Sequence, residues 1–78
     1  MNAAPKAKSL TEAQVELNAA GFWCTFKHRR TVLHVGYTPQ VDGGVSQHVA
    51  TFNRLVEQTD IDRLIVWKNR QMAAALAG

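Results

Sequence analysis

The stretch FWCTFKHRRTVLHVGY, residues 22–37, limits what this chain can fold into more than any other. Two runs rich in β-branched and aromatic residues flank Lys27-His28-Arg29-Arg30, the pattern of two antiparallel strands and their turn. With Arg29 and Arg30 at the tip, the register sets Phe22 against Tyr37, Cys24 against Val35, Phe26 against Leu33 and His28 against Thr31. Cross-strand partners share a face, so Phe22, Cys24, Phe26, Leu33, Val35 and Tyr37 form one apolar surface. The opposite face carries Trp23, Thr25, Lys27, Val32, His34 and Gly36. That face is neither plain core nor plain solvent surface.

At 78 residues the chain makes one domain, and a domain of this size buries only about 60–65% of its unfolded surface. Such chains usually lean on a staple or a partner. Cys24 is the single cysteine, which excludes an internal disulfide, and Cys24, His28, His34 and His48 lack the paired spacing of a metal site. The expectation is a homodimer with no cofactor. A lone thiol, no apolar run near the roughly 20 residues of a membrane span, and an N-terminal MNAAPKAKSL without a signal-like apolar stretch point to a cytoplasmic protein that avoids membranes.

A formal charge of +3 is compatible with a polyanionic partner without demanding one. Its distribution is more informative. Lys6 and Lys8 lie near the N-terminus, Lys27, Arg29 and Arg30 around the hairpin tip, and Arg63, Lys68 and Arg70 toward the C-terminus. The hairpin and everything after Asp62 contain no acid.

In chain order, residues 1–8 read as a flexible basic tail and 9–78 as the domain. A first helix starts at Ser9 or Thr11, with Ser9 and Glu12 spaced as a capping box, and stops at Gly21. Thr38 to Gly44 is a loop by its Pro39 and paired glycines, a plain turn before it is a phosphate cradle. Val45, Val49, Phe52, Leu55 and Val56 keep helical spacing and predict a second helix over 45–58, with His48 at the edge of its apolar stripe. The last segment has two readings. Arg63-Leu64-Ile65-Val66-Trp67-Lys68 has the composition of a strand covered on both faces, with Asn69 capping a short final helix. Alternatively Ile61, Leu64, Ile65, Met72, Ala75 and Leu76 fit one long helix capped by Thr59 or Asp60, apart from Lys68 in the seam. The strand is preferred. It gives an α/β (α+β) domain of order α-β-β-α-β-α, its third strand joining a three-stranded sheet in parallel across the second helix.

Under the helical alternative, residues 52–70 resemble a DNA-binding helix-turn-helix unit, with Asp60, Val56 and Asn69 departing from its usual glycine, alanine and apolar residue. The resemblance implies DNA contacts from Arg63, Lys68 and Arg70.

The chemistry points away from an enzyme. The derived register sends Cys24 and His34 to opposite faces, and Asp60 and Asp62 sit at an element start, where Asp commonly caps. Binding remains. Trp23, Lys27, His28, Arg29, Arg30 and His34, with Lys68 and Arg70 from the C-terminal segment, interleave aromatic and cationic groups suited to nucleic acid or a nucleoprotein complex. The same Trp and Arg patch also suits a protein-docking inhibitor or adaptor of the kind phages and other mobile elements make against host machinery.

Overall fold

The computed structural model describes residues 7–77. Seven elements follow in order: β1 (Ala7–Lys8), α1 (Leu10–Ala19), β2 (Trp23–Lys27), β3 (Val32–Tyr37), β4 (Gln47–Phe52), β5 (Val56–Glu57) and α2 (Gln58–Ala77). The fold is mixed α+β, with a three-stranded antiparallel sheet of order β2-β3-β4 and a separate β1-β5 pair.

Helix α1 is bounded as its sequence dictates. Ser9 Oγ accepts from the Glu12 N–H at 3.1 Å while the Glu12 carboxylate accepts from the Ser9 N–H at 3.0 Å, so the capping box is complete. At the other end Gly21 adopts φ +100°. The Phe22 N–H then reaches the Leu17 carbonyl at 3.0 Å and the Gly21 N–H reaches Asn18 at 3.1 Å, the two bonds of a Schellman motif. That stop aims the chain into β2 and buries Ala13, Leu17 and Phe22 together.

The hairpin keeps the register read from its sequence: Trp23 pairs with Gly36, Cys24 with Val35, Thr25 with His34, Phe26 with Leu33 and Lys27 with Val32. At its tip the Thr31 N–H bonds the His28 carbonyl at 3.2 Å, and Arg29 and Arg30 take φ +57° and +66°. His28 is left-handed too, at φ +51°, and the ladder ends at Lys27 and Val32, so the tip is a four-residue loop with three successive left-handed residues rather than a two-residue type I′ turn. Arginine is an unfavourable occupant, since the left-handed region costs a side-chain-bearing residue about 1–2 kcal/mol.

Beyond Tyr37 the structure departs from the expected order, which is β-α-β-β-β-β-α. Residues 45–58 do not form a helix. They supply β4, a bend and β5 before α2 starts at Gln58. Strand β4 pairs antiparallel with β3, Leu33 to Phe52, Val35 to Ala50 and Gly36 to His48, and a bulge between the last two pairs leaves Val49 unpaired. The bulge is why the segment looks helical. An extra residue lets Val49 and Phe52, three apart, both pack against the core, whereas an unbroken strand would send them to opposite faces. The strand expected over 63–68 is instead part of α2, the single long helix of the alternative reading. Ile61 is buried, and Leu64, Ile65 and Trp67 pack on the core, while Val66, whose apolarity suggested a two-sided strand, is 49% exposed.

Ala7 and Lys8, expected within a flexible basic tail, form a strand instead. Ala7 and Lys8 pair with Glu57 and Val56, and Lys8 forms a salt bridge with Glu16; residues 1–6, with Lys6, lie outside the described residues. Gln58 Nε2 donates to the other Glu16 oxygen at 2.7 Å, so β1, α1 and the start of α2 meet at one carboxylate. Its pKa is held below the ordinary carboxylate value, chiefly by the hydrogen bond from Lys8 and then by that from Gln58.

One core joins all of this: Ala13, Leu17, Phe22, Leu33, Val35, Tyr37, Val56 and Ile61 are buried in contact. Tyr37 meets Phe22 at 6.2 Å and the edge of Trp67 at 5.6 Å between ring centroids. Both helices therefore lie against the same side of the sheet. With extents of 44 × 36 × 16 Å, the molecule is two layers thick, and among the described residues no third layer covers the sheet's other face.

Candidate binding face

The uncovered face is assembled from alternate residues of three strands: Trp23, Thr25 and Lys27 of β2, Val32, His34 and Gly36 of β3, and His48 and Thr51 of β4. None of the three strands contains Asp or Glu. Trp23 lies across the glycine opposite it: a Cβ placed on Gly36 would stand 1.8 Å from Trp23 Cζ2. The indole Nε1 donates to Ser46 Oγ at 2.6 Å, and Thr38 Oγ1 donates to the same oxygen at 2.9 Å, so the acceptor that holds the ring is itself held. It remains 36% exposed. Next to it the His34 and His48 rings are 5.2 Å apart, tilted by 52°, and His48 Nε2 shares a 2.6 Å hydrogen bond with Thr51 Oγ1.

The structure divides the residues singled out from the sequence. Trp23, Lys27 and His34 share the open face, and His28 and Arg29 sit exposed at the hairpin tip. Arg30 does not project with them. Its guanidinium carbon lies 3.9 Å from the Phe26 ring centroid, and Nη2 reaches Thr11 Oγ1 at 3.5 Å. Lys68 and Arg70 belong to α2, in the layer behind the sheet. Lys68 Nζ donates to the Ala20 carbonyl and lies 5.9 Å from the Phe22 ring centroid, a cation at the C-terminal end of α1 where the helix dipole favours one.

Other candidate chemistry is placed elsewhere. Cys24 and His34 fall on opposite faces, and burial pushes the Cys24 thiol pKa up, contrary to what a nucleophile needs. Asp60 accepts from the Glu57 N–H at 3.2 Å and Asp62 from Gln58 Nε2 at 3.0 Å, so both serve the start of α2. Gly43 takes φ +76° and the Gly44 N–H bonds Val41 at 2.9 Å, an ordinary turn that leads into a strand rather than a phosphate-binding helix. The helix-turn-helix resemblance fails at its first helix, because residues 52–57 are strand and bend.

His48, Ser46 and Thr51 are the site residues that sequence reasoning missed. Read as an unbroken strand, Gln47–Phe52 would have sent His48 to the face of Ala50 and Phe52; the bulge is what turns it to the side of Thr51 and His34, and no local period announces it. No family model, curated protein or solved structure matches the chain. Among the described residues no helix is long and apolar enough to cross a membrane.

Proposed function

We propose that the chain is a small binding protein that takes single-stranded nucleic acid onto the open face of its sheet, with the hairpin tip meeting phosphates. The observation that carries this reading is the uncovered, acid-free face on which Trp23 is pinned flat over Gly36 beside two histidine rings. A restrained indole gives a base a stacking surface at little entropic cost, and aromatic stacking contributes about 1–3 kcal/mol per base. Lys27 flanks the rings and Arg29 extends from the tip, free of the Phe26 contact that holds Arg30.

The test is quenching of Trp23 emission by short oligonucleotides in a Trp67→Phe background. Saturable quenching is expected, stronger with single than with double strands. Two or three phosphate contacts would give a log–log salt slope of about −1.4 to −2. Quenching that is absent at low salt would overturn the reading. Binding of a protein target through the same Trp, indifferent to salt, would move the assignment to a docking inhibitor or adaptor.

A further inference from the structure

We propose that His34 and His48 form a two-imidazole site for a borderline divalent transition cation, with Cu²⁺, Ni²⁺ and Zn²⁺ as its class of ligand. The pair is assembled by tertiary structure, since β3 and β4 bring together residues fourteen positions apart in sequence. Two imidazoles sharing one ion at about 2.0–2.1 Å with a tetrahedral opening place their ring centroids about 5 Å apart. The observed separation is 5.2 Å.

His48 is also held as a ligand is usually held. In the tautomer whose Nε2–H donates to Thr51 Oγ1, the neutral ring keeps its lone pair on Nδ1, and an outer hydrogen bond of this kind orients metal-binding histidines. Imidazole suits Cu²⁺, Ni²⁺ and Zn²⁺, with Cu²⁺ bound most tightly. Among the described residues no third His, Cys, Asp or Glu joins the pair, so water or a ligand atom fills the remaining positions. An ion held there would add a fixed positive centre to a face whose strands carry no acid. The site does not depend on the nucleic-acid reading.

The experiment is titration of the full chain, in the Trp67→Phe background, with Cu²⁺ alone. Trp23 is the reporter, because it shares a cross-strand row with His48 through Gly36 and a paramagnetic ion nearby quenches an indole. Saturable quenching at one equivalent is expected, reversed by excess Zn²⁺. His34→Gln and His48→Gln should each abolish saturation with an unchanged circular dichroism spectrum, and His28→Gln should leave the titration as it is. Thr51→Val keeps both ligands and should weaken binding about tenfold by freeing the His48 ring. Quenching that survives in either His34→Gln or His48→Gln, that is lost equally in His28→Gln, or that fails to saturate below about 1 mM would overturn the assignment.

Discussion

On the covered face of β2 and β3, Leu33 and Val35 are fully buried and the residues opposite them, Phe26 and Cys24, are half-buried. On the open face, made by alternate residues of the same strands, Trp23 lies over a glycine and His34 stands beside a second histidine. The first face is satisfied by any set of apolar side chains that fills it. The second holds the Trp23 and His48 rings by hydrogen bonds to Ser46 and Thr51, restraint that core packing does not require. The difference teaches where to look for function: side chains that are held in place yet left uncovered.

Mutations separate the two faces, and the largest effect belongs to the covered one. Leu33→Ala should cost about 2–5 kcal/mol by denaturant unfolding, the range for truncating a buried leucine. Phe26→Ala should cost less, because Phe26 is half-buried and partly covered by Arg30. A loss for Phe26→Ala equal to that for Leu33→Ala would erase the gradient on that face.

Gly36→Ala attacks the open face through its closest contact and should cost about 1–3 kcal/mol as the indole is displaced. Near-UV circular dichroism of Trp23 should change with it. An unchanged spectrum would mean that the ring does not lie where Gly36 admits it. Arg29→Gly is expected to act in the opposite direction, raising stability by about 0.5–1 kcal/mol because glycine accepts positive φ freely. Oligonucleotide affinity should fall in the same variant. A gain in stability without that loss would make the tip a turn and nothing more.

The smallest effect lies where β1, α1 and the start of α2 meet at Glu16. Glu16 has a lowered pKa, so its contribution is fully present above the ordinary carboxylate range and is lost as pH falls through the lowered value. Glu16→Gln should therefore lie below wild type at neutral pH, with the gap closing in acid. A gap that widens in acid would contradict the ion pair with Lys8.

Local signals are legible where the partner lies nearby in sequence. The Ser9 and Glu12 cap, the Gly21 stop and the hairpin register each join residues a few to fifteen positions apart, and all three stand as read. The three-stranded α+β class was legible as well, although the identity of the third strand was not. Lys68 shows why. In the sequence it spoils the apolar seam of a long helix and so favours a strand, but in the fold its ammonium reaches the Ala20 carbonyl 48 residues away. Long polar side chains on an apolar face can extend past it to a distant acceptor, and no local pattern announces that acceptor.

By itself, then, the sequence determined the first helix and its caps, the hairpin, and the sorting of its side chains onto a greasy and a ring-bearing face. Those features follow from backbone periodicity and from turn and cap chemistry, which act within a few residues. Tertiary structure decided that Gln47–Phe52 completes the sheet, that both helices share one side of it, and that His48 comes to rest beside His34. The open edge of β3 offered backbone hydrogen bonds that outweighed the helical spacing of residues 45–58, and the bulge in β4 let its apolar residues still reach the core.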